Sequence, residues 1–268
     1  MGEKMRLDRL LAECGEGTRS EVKTYIKKGR VSVNGAVVKD NGLKVDLAED
    51  EVIFGGHRVV YEKFRYFMLN KPQGCVSATR DGLSATVLDL LNGEITRDLF
   101  PVGRLDKDTE GFLLITNDGQ LGHELLSPRK HVDKRYIACV TKALDAAQME
   151  EFRQGVDIGD DKPTMPAGIE LVPGAAATPY EVAAAAAGII RRSGATEKYG
   201  ESMAGFQETY KVTLQEGRYH QVKRMFEAFG SKVVYLKRIS MGDVCLDESL
   251  APGEYRRLTE DEVEALRR

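Results

Sequence analysis

The segment Gly103-Arg104-Leu105-Asp106 leads through Thr109-Glu110-Gly111 into the apolar stretch Phe112-Leu113-Leu114-Ile115-Thr116. A polar turn before a run of large apolar residues predicts a loop followed by a strand. The turn isolates one carboxylate, Asp106, just ahead of that strand. An aspartate in such a turn often only stabilises it through its side-chain oxygens, so a structural role and a chemical role both stay open.

A second segment supplies positive charge. It reads Gly217-Arg218-Tyr219-His220-Gln221-Val222-Lys223-Arg224-Met225-Phe226. A cation close to a carboxylate favours the ionised acid, and the other positive charges suit a polyanion. Taken together, the two segments indicate covalent chemistry on RNA.

The composition is that of a soluble globular protein large enough for two domains. The chain has 268 residues, of which 42% are hydrophobic and 30% charged. Its net charge of -3 argues against nonspecific coating of nucleic acid. The charge is uneven, however, because residues 18–39 and 218–238 each hold six Lys or Arg against one acid. Two basic patches therefore lie in an acidic protein.

The cysteine pattern and the hydropathy pattern place the protein in the cytoplasm. The four cysteines are scattered without a CxxC or a Cys/His cluster, which disfavours a metal site or a disulfide framework. No apolar run approaches the roughly 20 residues that span a bilayer. The N-terminus also lacks the apolar core of a signal peptide. We expect no membrane association.

The first 60 or so residues predict a small unit of two helices and a hairpin. Leu7, Leu10 and Leu11 share one helical face, and Val22, Tyr25 and Ile26 repeat the spacing. Asn34-Gly35 between valine-rich runs predicts a tight hairpin turn, and Glu51–Phe54 a further strand. The cations of this unit recur at intervals of three and four, which fits a phosphate-tracking face or a merely solvated one. They are Arg19, Lys23, Lys27, Lys28 and Arg30.

The remainder predicts an α+β fold, because strands are not regularly followed by helices. Residues 174–206 are rich in Ala, Gly and Ser and predict a flexible insertion, with a short helix over Tyr180–Arg192. Asn117-Asp118-Gly119 predicts a hairpin turn, and Leu258–Val263 a capped helix start. The predicted strands are Tyr66–Leu69, Phe112–Thr116, Tyr136–Val140, Gly168–Val172, Tyr210–Leu214 and Lys232–Arg238. The predicted helices are Thr86–Leu91, Asp145–Gln154 and His220–Phe229.

Two resemblances give these patterns a common meaning. Residues 5 to about 60 resemble the RNA-binding S4 domain, chiefly through the run from Ser20 to Gly35. The later motifs resemble, in order, those of the pseudouridine synthases. Within that family the segment from Tyr219 to Arg224 is similar to the RsuA-like branch, which modifies small-subunit rRNA. The motifs are Asn70–Gly74, Gly103–Gly119, Ser127–Arg129 with Lys134–Tyr136, and Glu216–Phe226.

The resemblance implies an S4-like domain over residues 1–62 and a catalytic domain over 63–268. It further implies a mixed, largely antiparallel sheet and a central RNA-binding cleft. Asp106 would be the nucleophile, Tyr136 the active-site tyrosine and Lys223 the basic partner of Asp106. No metal or organic cofactor would be needed. The expected RNA contacts outside the S4-like domain are Arg104, Lys71, Arg129, His220 and Arg224.

Several alternatives remain open at this point. Asp106 and Asp108 could be read as the acid and base of a glycosidase, but two positions in one short turn control the required separation of about 5–9.5 Å poorly. The substrate could be 23S rRNA or another RNA instead of 16S rRNA. The chain could also be a non-catalytic RNA-binding factor for ribosome assembly. We expect a cytoplasmic monomer whose partner is ribosomal RNA.

Overall fold

The computed structural model describes residues 3–172 and 207–268. The chain divides into two compact units, Met1–Phe64 with Gly93–Arg97, and Arg65–Asn92 with Asp98–Arg268. Gly93–Arg97 thus groups with the first unit, although the sequence prediction assigns it to the second domain. The predicted insertion and its Ala-rich helix lie outside the described residues. No helix within the described residues is long and apolar enough to cross a membrane.

The first unit contains the predicted pair of helices and the predicted hairpin. Helix α2 begins with a capping box, in which the side chains of Thr18 and Glu21 each accept a hydrogen bond from the other's backbone N–H. The hairpin turn is confirmed, since Asn34 and Gly35 both have positive φ, at 49° and 78°. The helices are α1 (Leu7–Glu13) and α2 (Arg19–Lys27); the strands are β1 (Lys4–Arg6), β2 (Val31–Val33), β3 (Ala36–Val37), β4 (Lys44–Asp46), β5 (Val52–Phe54) and β6 (His57–Arg58).

The second unit is built on a mixed, largely antiparallel sheet, as predicted. Its strands are β7 (Tyr66–Lys71), β8 (Phe100–Pro101), β9 (Glu110–Thr116), β10 (Lys134–Val140), β11 (Gly168–Leu171), β12 (Glu208–Leu214), β13 (Val233–Met241), β14 (Val244–Cys245) and β15 (Tyr255–Arg257). The spatial order is β11-β12-β10-β13-β9-β7-β15, with β14 beside β13 and β8 beside β9. Among the described strands, only β9 and β13 pair in parallel. Every main strand that the sequence predicts is present.

The helices differ from prediction in two places. Asn117-Asp118-Gly119 does not form a hairpin turn: the Asp118 carboxylate accepts the Leu121 N–H at 3.1 Å and caps a helix. The segment predicted as a helix over Thr86–Leu91 is a 3-10 turn at Val87–Leu90. The helices are α3 (Gly119–Leu126), α4 (Ala146–Gln154), α5 (Gln221–Glu227) and α6 (Glu260–Arg267), and Pro128–Lys130 forms a second 3-10 turn. The predicted cap of α6 is confirmed, with Thr259 and Glu262 forming a capping box.

Strand β9 lies at the centre of the core because both its faces are buried. Leu113 and Ile115 belong to the large apolar cluster on one side of the sheet. Phe112 and Leu114 belong to the cluster on the other side. Successive side chains of a strand point to opposite faces, so burial on both sides explains the unbroken apolar run in the sequence. The loop carrying Asp106 is thereby attached to the most deeply buried strand.

Gly111 allows β9 and β13 to approach each other. Its φ is +104°, and a Cβ at this position would lie 2.1 Å from the carbonyl oxygen of Arg238. Gly111 is also the register partner of Arg238 in the parallel pairing. Because the obstacle is backbone, a side chain here requires the two strands to separate.

We predict that Gly111→Ala lowers the free energy of unfolding by about 3–5 kcal/mol, or prevents folding. Gly74→Ala is the matched control, since Gly74 also has positive φ, at +91°, but an added Cβ would have open space. It should cost only about 1–2 kcal/mol of backbone strain. Urea unfolding of both variants measures the difference. Equal losses would contradict the close approach of β9 and β13.

Candidate active site

The loop that carries Asp106 is held on both sides by buried hydrogen bonds. The Ser77 hydroxyl donates to the Leu105 carbonyl at 2.9 Å and accepts from the Leu105 N–H at 3.0 Å. The Asp106 carbonyl accepts the Thr109 N–H at 3.1 Å. The carboxylate itself stays accessible, with 25% of the side chain exposed. The backbone therefore fixes the position of a partly exposed acid.

Lys71 is part of this support and not a surface cation. Its side chain is fully buried, and its ammonium donates to the carbonyls of Asp106 at 3.0 Å, Thr109 at 2.9 Å and Pro72 at 3.0 Å. Burial lowers the pKa of Lys71 below its ordinary value. The predicted phosphate contact of Lys71 is wrong, because the ammonium is enclosed by the protein.

Lys223, on helix α5, contacts Asp106 directly. Its ammonium lies 3.1 Å from Asp106 Oδ2 and 2.6 Å from Asp108 Oδ1. Partial burial lowers the pKa of Lys223, but the hydrogen bonds and charges of Asp108 and Asp106 outweigh it and hold the pKa above its ordinary value. Loss of water around Asp108 raises that group's pKa, but Lys223 again outweighs it and holds the pKa low. The Lys223 ammonium thus forms ion pairs with two carboxylates.

His220 approaches the other oxygen of the same carboxylate. Its Nε2 lies 3.5 Å from Asp106 Oδ1. The residue precedes helix α5 in a left-handed conformation, with φ of +48°, a conformation that is uncommon for residues other than glycine. The helix start therefore brings His220 and Lys223 to the two oxygens of Asp106.

A small cleft of about 70 Å³ opens beside Asp106. Tyr136, from strand β10, is one wall and is 8% exposed. Leu214 and Leu236 provide part of its apolar wall. The full lining is Arg104, Leu105, Asp106, Thr109, Tyr136, Leu214, Gly217, Arg218, His220, Gln221, Val222 and Leu236. The three residues predicted to be catalytic, Asp106, Tyr136 and Lys223, therefore converge at one place.

Comparison with known proteins identifies the family. The profile of the RNA pseudouridylate synthase family matches residues 65–228, and that of the S4 domain matches residues 5–52. The chain belongs to the RNA pseudouridine synthase family. It is an isomerase acting on RNA, with an N-terminal S4 domain.

Relatives match almost the whole synthase. A Bacillus subtilis (strain 168) protein named Uncharacterized RNA pseudouridine synthase YtzG is 46% identical and covers 98% of both chains. The Ribosomal small subunit pseudouridine synthase A of Escherichia coli (strain K12) is 38% identical, covering 97% of this chain and 98% of its own. A crystal structure of a pseudouridylate synthase is 36% identical, with a TM-score of 0.61, and covers 98% of this chain and 99% of that one.

The side chain of Arg224 contacts protein groups, whereas the sequence analysis expects it to contact RNA. Its guanidinium forms hydrogen bonds with the Asp160 carboxylate, the Ile158 carbonyl and the Tyr219 carbonyl. Arg218 joins the same network through Asp160 and Glu216. The predicted RNA contact of Arg224 conflicts with this arrangement, because its donors are directed at protein acceptors. Arg224 holds the loop before helix α5.

The other cations predicted to bind RNA are at the surface. Arg104 is exposed and lines the cleft of the synthase. Arg129 is exposed on the second 3-10 turn and does not line the cleft. Along and just after α2, exposed cations form no ion pair within the described residues, although the Arg30 guanidinium lies over the Tyr25 ring at 5.6 Å. These are Arg19, Lys23, Lys27, Lys28 and Arg30.

The sequence did not predict two features of the second unit. Asp108, which the sequence offers only as a possible partner of Asp106 in a glycosidase, pairs through its side chain with Lys223. Three cations on strands β10 and β13 are also buried: Lys134 at 4% exposure, Lys237 at 3% and Arg238 at 2%. Burial, assisted by the charge of Arg238, lowers the pKa of Lys134 to about 8. Lys134 belongs to a quoted motif, but only the structure shows that it is buried.

We predict that Lys71→Met destabilises the synthase by about 2–4 kcal/mol, because three carbonyls lose the hydrogen bonds donated by a buried ammonium. Lys107→Met is the matched control: Lys107 is exposed, lies next to Asp106 in the chain, and donates to the Ser84 hydroxyl. It should change stability by less than about 0.5 kcal/mol. Urea unfolding measures both. A stable Lys71→Met that only binds RNA more weakly would restore the phosphate role.

Proposed function

We propose that this protein converts one specific uridine of 16S (small-subunit) rRNA to pseudouridine, with Asp106 as the nucleophile. The observation that carries the proposal is the contact of Lys223 with Asp106 at 3.1 Å beside a cleft lined by Tyr136. An ammonium this close favours the ionised carboxylate, which is the nucleophilic form.

Asp106 begins the reaction at C1′ of the ribose. A carboxylate oxygen forms a bond to C1′ while the bond from C1′ to uracil N1 breaks. The detached uracil turns in the cleft and its C5 bonds to C1′, which releases the carboxylate. The proton on C5 then leaves and N1 gains one, so that product and substrate have the same atoms. No co-reactant is consumed.

Tyr136 and the apolar wall hold the uracil while it turns. A largely buried tyrosine presents a ring face for stacking and a hydroxyl for hydrogen bonding. We assign the stacking to the Tyr136 ring and a part in the final proton movement to its hydroxyl. Leu214 and Leu236 line the same cleft and limit access of water to the detached base.

Arg104 supports the flipping that this reaction requires. A base inside a helix is out of reach of Asp106, so the nucleotide must be turned out at a cost of a few kcal/mol. Arg104 is exposed at the cleft and only two residues from the nucleophile. We propose that its guanidinium fills the vacated space and contacts phosphate. His220, also at the cleft, contacts the same nucleotide.

We propose that residues 1–62 dock the rRNA and that residues 63–268 carry the catalytic domain. The exposed cations of α2 support this division, since phosphate contacts supply much of the affinity for nucleic acid. Arg129 is a further phosphate contact.

Small-subunit rRNA is favoured because relatives 37–38% identical over nearly their full length are named small-subunit pseudouridine synthases. We propose that the protein acts as a monomer in the cytoplasm and that its partner is ribosomal RNA.

Asp106→Asn should bind a small-subunit rRNA transcript with a Kd within about threefold of wild type and form no pseudouridine. The amide keeps the shape of the carboxylate but is not a nucleophile. Asp108→Asn is the matched control, since Asp108 has 68% of its side chain exposed and contacts the site only through Lys223. It should keep activity within about tenfold. Pseudouridine is mapped along the transcript and along assembling subunit particles.

The outcomes separate the alternatives. Pseudouridine on large-subunit rRNA alone would keep the chemistry and replace the substrate. Product formation by Asp106→Asn would contradict the nucleophile. Equal ribosome assembly in cells with wild type and Asp106→Asn, without product in either, would favour a non-catalytic assembly factor.

The triple change Lys23→Gln, Lys27→Gln and Lys28→Gln should weaken RNA binding and reduce the slope of log K against log salt by about 2, at about 0.7–0.9 per lost phosphate contact. The control triple Lys4→Gln, Lys39→Gln and Lys44→Gln removes the same charge from exposed positions of the S4 domain outside α2. Filter binding at several salt concentrations compares them. Equal slopes for the two triples would contradict a specific role for α2.

A further inference from the structure

Tyr219 is an exposed aromatic residue at the edge of the cleft. It is 76% exposed, and its two sequence neighbours, Arg218 and His220, both line the cleft. Among the described residues, no other large exposed apolar side chain is flanked in this way. An exposed aromatic ring at the edge of a cleft offers a flat surface on which a ligand can stack.

The ring of Tyr219 is held in place on one side. It stacks on the imidazole of His220 with centroids 3.8 Å apart and planes 17° from parallel. His220 in turn contacts the Asp106 carboxylate. With one face against His220 and most of the residue exposed, the opposite face of the ring is available to a flat partner.

The backbone of Tyr219 is also fixed. Its carbonyl accepts a hydrogen bond from Arg224 at 3.2 Å, and Arg224 is tied to Asp160. The Arg218 N–H donates to the side chain of Gln221 at 2.9 Å, and Gln221 is buried. A surface ring that is already ordered loses little conformational entropy when a ligand stacks on it.

We propose that the free face of Tyr219 stacks on a nucleobase of the RNA that neighbours the uridine entering the cleft. This inference rests on the proposed function, because it places the target uridine beside Asp106. Every nucleobase has a flat π face, and stacking on an aromatic side chain strengthens binding without reading the sequence. Tyr219 is then a platform that holds the RNA strand beside the opening while the target base is turned out.

Substitutions at Tyr219 distinguish stacking from a merely structural role. Tyr219→Phe keeps the ring, whereas Tyr219→Leu keeps apolar bulk without a π face. The probe is a small-subunit rRNA transcript. We expect the Kd and KM of Tyr219→Phe to lie within about twofold of the wild-type values. Tyr219→Leu should raise the Kd for RNA and the KM about fivefold to hundredfold. Its kcat at saturating RNA should stay within about threefold of wild type. Leu171→Ala, at an exposed position of the edge strand β11, is the control for loss of surface apolar area.

The absence of tryptophan gives a direct readout. The chain contains no Trp, so Tyr219→Trp in the Asp106→Asn background carries a single indole at the proposed platform. Adding the transcript should quench its fluorescence by at least half, as expected when a base stacks on an indole. Leu171→Trp in the same background should change little. Filter binding confirms in parallel that both variants hold the RNA.

The proposal fails if Tyr219→Leu binds RNA as tightly as wild type, or if bound RNA leaves the Tyr219→Trp emission unchanged. It also fails if Tyr219→Leu lowers kcat and the melting temperature while KM stays constant, since the ring would then only support His220. A wrong substrate assignment gives a different result: the wild-type protein itself would form no pseudouridine in the small-subunit transcript. The same variants are then compared on a large-subunit transcript.

Discussion

The site depends on one electrostatic contact, between the Lys223 ammonium and the Asp106 carboxylate. The two groups are 3.1 Å apart yet separated by more than a hundred residues in the chain. An isolated carboxylate would be poorly stabilised as an anion when substrate displaces its water. Lys223 provides that stabilisation, and Asp108 in turn helps to hold Lys223 charged. Reactivity therefore rests on the pair of Asp106 and Lys223, and Asp108 only assists that pair.

The sheet and the loop before β9 position Asp106 for this contact. Gly111 lets β9 and β13 pair closely, and the loop before β9 carries Asp106. Lys71 ties that loop together from inside by donating to its carbonyls. From the opposite side, the start of helix α5 presents Lys223 and His220 to the two oxygens of the acid. A buried backbone framework with a partly exposed acid is preorganised, so little movement is needed when RNA arrives.

Local patterns in the sequence predict most of this framework. They do not predict contacts between residues that are far apart in the chain. The apolar run of β9, the Asn34-Gly35 turn and the capped start of α6 each have a local cause and are confirmed. Helix α3 was missed because Asn117-Asp118-Gly119 has the chemistry of a turn, and a cap uses the same chemistry. Lys71 was assigned to the surface because a lysine in a motif gives no sign of burial. The contact of Asp108 with Lys223 spans 115 positions, so no local pattern reveals it.

The most direct test of the account is the single-turnover rate of Lys223→Met at saturating rRNA, compared with Lys223→Arg. Methionine keeps the bulk of the side chain but removes its charge, so the rate should fall at least about a hundredfold, in the range found when a stabilising donor is removed from an active site. The Kd for RNA should stay within about threefold, and Lys223→Arg should recover part of the rate. A rate for Lys223→Met within threefold of wild type would contradict the central role of this contact.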